Sequence, residues 1–182
     1  YINNDSDFID LNLKGSLNLL NSCVKNNIKN IILISTINVY GNSINVSSNE
    51  ESELSPQTNY GLIKLLTEEL YRQFSRIYDL NITILRLSNI FGPNKKAGYI
   101  SHLINSSVFN HQKISAYNNG NQYRDVLFID DAIDGIIKSL KKPLKGFNIF
   151  NISSGTKFSI NEIIKEIEKI SNQKLNIEYT NE

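Results

Sequence analysis

Ile31-Ile32-Leu33-Ile34-Ser35-Thr36 is an unbroken aliphatic run closed by two hydroxyl residues. A short, continuous, β-branched run of this kind is the pattern of a parallel strand buried on both faces. Before it, Phe8, Leu11, Leu13, Leu17, Leu19, Leu20 and Val24 follow an imperfect helical period through a tolerated Gly15. After it, the residues from Tyr60 to about Tyr78 follow the same period. Helix, buried strand and helix in succession make an α/β arrangement, in which ligands gather at the carboxyl ends of the strands. Ser35 and Thr36 stand at that end. They are either site residues or a turn-forming pair, and this stretch alone leaves both open.

Further along, Ile82-Thr83-Ile84-Leu85-Arg86-Leu87 reads as a second strand, ending in Ser88-Asn89 before Ile90-Phe91-Gly92-Pro93. Phe147 to Ile152 reads as a third, followed by the turn Ser153-Ser154-Gly155. Between them come a helix over Tyr99 to Phe109, a short strand over Ile114 to Tyr117, and the turn Asn118-Asn119-Gly120-Asn121. Tyr123-Arg124-Asp125 leads into apolar Val126 to Ile129, and Asp130 and Asp131 are suited to cap the helix Ala132 to Leu140. Ser159 is the expected N-cap of a helix over Ile160 to Ile170, and Leu175 to Tyr179 alternate as a strand. In the Tyr60 helix, Leu62, Leu66, Leu70, Phe74 and Ile77 form the expected core stripe, with Glu68, Glu69, Arg72 and Arg76 outward. Asn12 bonds either the backbone of a neighbouring strand or solvent. Arg124, on its residues alone, is either a surface base paired with Asp125, the favoured reading, or a guanidinium fork aimed at a phosphate. The polar stretch 42–58 is an expected surface loop.

The 182 residues suffice for one substantial core, with no linker-like tract between separate beads. A net charge of +1 with interspersed signs lacks the basic stripe that nucleic acid requires. Cys23 is the sole cysteine, and His102 and His111 stand apart, so neither a disulfide framework nor a zinc site is expected. No run has the length of a membrane span, so no membrane partner is expected, and a reducing cytoplasm fits the cysteine usage. The sequence contains no methionine, which is expected of a piece of a longer product.

The chemistry centres on Asn59-Tyr60-Gly61-Leu62-Ile63-Lys64. A tyrosine and a lysine four apart lie one above the other on one helix face, and an ammonium near a phenol favours the phenolate. Such a pair can supply a proton acceptor near neutral pH. Around it, six motifs occur in order: Asn12-Leu13-Lys14-Gly15; Ile34-Ser35-Thr36 with Val39-Tyr40-Gly41; Tyr60 with Lys64; Leu85-Arg86 with Asn89 and Gly92-Pro93; Arg124-Asp125 with Asp130-Asp131; and Asn151-Ile152-Ser153-Ser154-Gly155. Together they resemble the extended short-chain dehydrogenase/reductase superfamily, in its NAD-dependent nucleotide-sugar epimerase/dehydratase branch, of which UDP-glucose 4-epimerase is a familiar member.

That resemblance implies a Rossmann-like doubly wound parallel sheet, with 1–94 as a partial NAD-binding domain rejoined by 147–152, and 95–182 as part of a small α/β substrate-binding domain. It implies that Tyr60 is the catalytic acid/base at the sugar 4-hydroxyl, while hydride passes between C4 and the nicotinamide of NAD, in preference to NADP. Lys64 would favour the phenolate and bond the nicotinamide ribose. Thr36 would be the catalytic hydroxyl bonded to the same sugar oxygen. Ser35 would line the cofactor, and Asn89 and Arg124 would contact the diphosphate of a nucleotide-sugar substrate. The Asn12 and Tyr60 helices would form a homodimer contact. Two departures stand out. Ile37-Asn38 replaces the Asp-Glu pair that dehydratases carry after this Thr, which disfavours dehydration. The glycine-rich turn for the cofactor pyrophosphate is missing, as is the acidic residue that reads the adenosine ribose, so the chain looks truncated at both ends. The expected activity is therefore nucleotide-sugar 4-epimerisation through a 4-keto intermediate. The alternatives are an NAD(P)H-dependent reductase of a nucleotide-linked 4-keto sugar and an inactive fragment with exposed sheet edges, poorly soluble and without tight NAD binding. The sugar would be set partly by the loop 95–99.

Overall fold

A computed structural model describes residues 5–41, 48–94 and 98–181. The expected loop at 42–58 lies outside the described residues over 42–47, and so does the expected sugar-selecting loop over 95–97. The first helical region comprises α1 (Asp5–Ile9), a π-helical turn (Asp10–Lys14) and α2 (Gly15–Lys25). Then follow β1 (Asn30–Thr36), a 3-10 turn (Ile37–Tyr40), α3 (Asn59–Tyr78), β2 (Asn81–Leu87) and β3 (Asn89–Phe91). Next come α4 (Tyr99–Leu103) with a π-helical extension (Ile104–Phe109), β4 (Ile114–Ala116), β5 (Tyr123–Phe128) and α5 (Ile129–Lys141). The chain continues through β6 (Phe147–Ile152), β7 (Lys157–Ser159), α6 (Ile160–Ser171) and β8 (Ile177–Tyr179). Among the described residues no helix is long and apolar enough to cross a membrane.

The described residues form two compact units. The first holds the chain up to Leu87 together with Ile133–Ile152; the second holds Ser88–Ala132 and the residues from Ser153 onward. The sequence reading put the division after 94 and returned only 147–152. The observed division is at Leu87/Ser88 because β3 leaves the sheet of β2 and pairs with β5.

In the first unit the sheet order is β1-β2-β6, parallel throughout. Its register aligns three rows of side chains. Ile31, Ile82 and Phe147 form one row and Leu33, Ile84 and Ile149 the next, and all of them pack with Leu20, Tyr71, Phe74 and Leu80. The period of two then brings Ser35, Arg86 and Asn151 to the same face. The helix-facing side of the sheet is thus apolar along most of its length and polar at its carboxyl end. α3 corrects the expected stripe. Ile63, Thr67, Glu68, Tyr71 and Phe74 are buried, whereas Leu62, Leu66 and Ile77 are 47%, 48% and 64% exposed. The helix carries two apolar stripes about 100° apart, and the sheet takes the one containing Ile63. Glu68, expected outward, is 2% exposed. Asn12 is also corrected: its Nδ2 donates to Phe8 O at 2.9 Å within its own helix, across the widened π-helical turn.

In the second unit β5 pairs parallel with β3 and antiparallel with β7, and β4 pairs parallel with β8. β7 has no counterpart in the sequence reading, because three residues of Lys-Phe-Ser carry no strand period. The core gathers Leu103, Ile114, Ala116, Ile160 and Ile164. Ser159 caps α6 as expected and completes a capping box with Glu162. Bonds from the backbone N–H and the hydroxyl of Ser159 hold the Glu162 carboxyl below its ordinary value. Its contribution is therefore present above the ordinary glutamate range and lost as pH falls through the lowered value. Ser159→Ala is expected to cost about 1 kcal/mol in denaturant unfolding. It should also flatten the acid limb of the melting temperature against pH. An unchanged midpoint would mean that the cap contributes nothing.

Candidate active site

The strand β1 delivers its hydroxyls to two faces. Ser35 is buried on the α3 side, where its hydroxyl donates to Glu68 Oε1. Thr36, one residue on, points to the other face, is 8% exposed, and accepts the Asn38 backbone N–H at 3.2 Å. That bond caps the 3-10 turn Ile37–Tyr40, which closes on Gly41 at φ +72°. A Cβ at Gly41 would sit 2.0 Å from Ser55 O, so only glycine serves there.

α3 begins directly against this turn. Thr58 caps it by accepting the Gly61 N–H at 3.1 Å, and a Cβ on Gly61 would lie 2.7 Å from Asn38 O. The first turn of α3, which carries Tyr60, therefore abuts the segment that follows Thr36. Gly61→Ala is expected to cost about 1–3 kcal/mol by overpacking. The same variant should lower whatever turnover depends on Tyr60 and Thr36, and a parental melting curve would count against the close contact.

Tyr60 is 43% exposed, and its ring lies 5.7 Å from that of Phe8. One helical turn later, Lys64 Nζ donates to Ile34 O at 2.9 Å, immediately before Ser35 and Thr36. Burial lowers the Lys64 ammonium from its usual lysine value, and the Glu68 carboxylate pulls the other way. The structure thus brings the phenol, the ammonium and the strand-end hydroxyls to one end of the first unit.

Beneath them runs a buried network that the sequence reading missed. Arg86, 1% exposed, donates from Nη2 to Glu68 Oε2 at 2.7 Å and from Nε to both carboxylate oxygens at 3.2 Å. Its Nη1 donates to Tyr40 Oη at 2.7 Å, and Tyr40 donates onward to Asn151 Oδ1 at 2.8 Å. Burial alone would lower Arg86, but its bonds to Glu68 and Tyr40 and the charge of Glu68 more than offset this, so its value is raised. The available signal was an arginine inside an apolar strand, together with a glutamate one turn beyond Lys64.

Asn89 and Arg124 lie in the second unit. Asn89 Nδ2 donates to Asp125 O at 3.1 Å. Arg124 donates to Tyr123 O and to Gln122 Oε1, each at 2.8 Å. The surface pairing of Arg124 with Asp125 is corrected, because the Asp125 carboxylate instead accepts Ser88 Oγ and the N–H groups of Ser154 and Gly155. Neighbours on a strand face opposite ways. An open cavity of about 630 Å³ in this unit is lined by Phe91, Pro93, Ser101, Ile104, Phe109 and Phe128, among others. Its size is that of a small-molecule site.

A parallel α/β sheet with a Tyr-x-x-x-Lys helix laid against a hydroxyl-bearing strand end defines the class of protein. The chain belongs to the NAD dependent epimerase/dehydratase family, which matches residues 1–153. It is 30% identical over 175 residues to a UDP-glucuronate 4-epimerase of Thermodesulfobacterium geofontis, covering 96% of this chain and 54% of that protein. It is 32% identical over 175 residues to a dTDP-D-glucose 4,6-dehydratase of Dictyostelium discoideum, covering 90% of this chain and 40% of that protein. The crystal structure of UDP-glucuronic acid 4-epimerase from Bacillus cereus in complex with NAD superposes with a TM-score of 0.90 at 27% identity, over 99% of this chain and 59% of that one. The chain spans about half the length of the curated relatives it matches.

Proposed function

We propose that this chain is the catalytic and substrate-binding portion of an NAD-dependent nucleotide-sugar 4-epimerase. One observation carries the reading: Lys64, one turn beyond Tyr60, is tied by Nζ to Ile34 O beside Ser35 and Thr36. The residues present fit the nicotinamide end of NAD, with a part-exposed phenol and a half-buried ammonium at a parallel strand's carboxyl end. The sequence has no G-x-G-x-x-G turn, so the share of the cofactor assigned to this chain is that end.

When bound, NAD would supply a reversible hydride acceptor for sugar C4, so that the hydride can return to the opposite face of the 4-keto sugar. Tyr60 Oη takes the 4-hydroxyl proton and returns it after the 4-keto sugar has turned. Thr36 donates to the same sugar oxygen, and the Lys64 ammonium offsets the charge that develops there. Ser35 lines the site through its backbone, since its hydroxyl is committed to Glu68. In the second unit, Asn89 and the Arg124 fork take the diphosphate, and the apolar cavity takes part of the nucleotide sugar. We assign cofactor binding to the first unit and substrate binding to the second. Dehydration is not proposed, because Ile37 and Asn38 follow Thr36 and neither is an acid. Ile9, Leu11, Leu17, Leu19, Leu62 and Leu66 are exposed on the α1–α2 region and α3, which supports a homodimer through these helices. The lone, buried and reduced Cys23 suits a cytoplasmic protein.

The test is incubation with UDP-glucose or UDP-glucuronate and no added nicotinamide, followed by chromatography of the sugars. Both C4 epimers are expected from either starting sugar. A strict requirement for added NADPH, with one-way consumption of a 4-keto sugar, would overturn the epimerase reading in favour of a reductase.

A further inference from the structure

The helix-facing rows of the first sheet are Ile, Leu and Phe until the last, which is Ser35, Arg86 and Asn151. A buried ion pair adds little stability over well-packed apolar side chains of similar volume, so stability alone gives no reason for the switch. What changes at that row is its neighbour, the site. Ser35 Oγ bonds Glu68, and Tyr40 Oη bonds Arg86 at 2.7 Å. The Glu68–Arg86 pair therefore grips the segment from Ser35 to Tyr40 at both ends, with Thr36 inside it. Asn151 steadies Tyr40, and its own backbone N–H donates to Glu50 Oε1 at 2.7 Å. Networks in which every member is bonded are rigid.

We propose that Glu68 and Arg86 are positioning residues: their ion pair clamps the segment Ser35–Tyr40 at both ends and so fixes the backbone that carries Thr36, whose following turn abuts the helix of Tyr60 and Lys64. The proposal rests on the reading of Thr36, Tyr60 and Lys64 as the reacting groups. Glu68 and Arg86 are 2% and 1% exposed, so each acts through the groups it bonds. Glu68 also lies one turn beyond Lys64 and opposes the effect of burial on that ammonium, in keeping with a supporting role.

The experiment compares the chain with a double variant, Glu68→Leu with Arg86→Met, by thermal melting and by amide hydrogen exchange. The variant is expected to melt cooperatively within a few degrees of the parent. Exchange should accelerate about tenfold or more at the Asn38 and Gly41 amides, and stay unchanged at Leu33 and Ile84. Parental exchange at Asn38 and Gly41 in the folded double variant overturns the proposal. Should the double variant fail to fold, Glu68→Gln keeps the side-chain shape and removes the charge; about threefold faster exchange at the same amides is expected, and no change overturns it. In turnover, the variant should lose kcat about tenfold or more with KM unchanged, and a parental kcat also overturns it. If the parent itself turns over no nucleotide sugar, the functional reading fails while the exchange data still decide whether the pair clamps this segment.

Discussion

Tyr60→Phe is expected to lower turnover by about a hundredfold to ten-thousandfold, the range lost when a positioned acid/base is removed. Nucleotide-sugar affinity should stay within about threefold, because the substitution removes no group assigned to the diphosphate. The change is also structurally mild. Tyr60 is 43% exposed and its ring rests against Phe8, a contact that phenylalanine keeps. Melting temperature should therefore move by no more than about a degree or two. Steady-state kinetics alongside calorimetric titration separates the two effects, and parental turnover would remove Tyr60 from its assigned role. A loss of binding instead of turnover would make it a substrate contact.

Glu68→Ala and Arg86→Met, each made alone, are expected to be the most destabilising substitutions considered for this chain. Each strands a full charge at a place that is 1% or 2% exposed. Breaking such a pair costs about 3–5 kcal/mol. For a chain of this size that corresponds to a fall in melting temperature of about 6–20 °C. The two effects should be far from additive, since removing both charges leaves none unpaired. Scanning calorimetry of the singles and the apolar double variant measures the coupling. Singles that melt like the parent would mean that solvent reaches the pair and screens it.

The sheet was legible because its strands are continuous aliphatic runs, and their sequence boundaries fall within two residues of those observed at Asn30–Thr36, Asn81–Leu87 and Phe147–Ile152. The Ser159 cap was legible because a cap is a local device. The orientation of α3 was not. Leu62, Leu66 and Leu70 repeat as regularly as Ile63, Thr67 and Tyr71, and periodicity cannot say which stripe meets a sheet. With the other stripe turned inward, Glu68 reads as a surface residue and Arg86 has no visible partner. Arg86 was visible as part of a motif, yet its partners lie 18 residues away in Glu68 and 46 away in Tyr40. Helix-on-sheet packing brings them together, and no local pattern encodes it. Tyr60 and Lys64 stood out early because a helix places them on one face by itself. Asp125 shows the opposite: adjacency in sequence pairs it with Arg124, whereas the pleat turns the two apart.

The polar row at the carboxyl end of the sheet also acts as a key for strand alignment. A parallel strand of isoleucines and leucines can slide along its neighbours with little change in burial, because each apolar position resembles the next. Arg86 removes that freedom. A slip of one residue would turn its guanidinium to the opposite face, and a slip of two toward the amino ends of β1 and β6 would set it between Leu33 and Ile149, where the aligned side chains offer no acceptor. Of these alignments, only the observed one gives the guanidinium both a carboxylate and a phenol. The residue that steadies the site thereby reports whether β2 has been threaded correctly, so misaligned chains would fail to assemble the site at all.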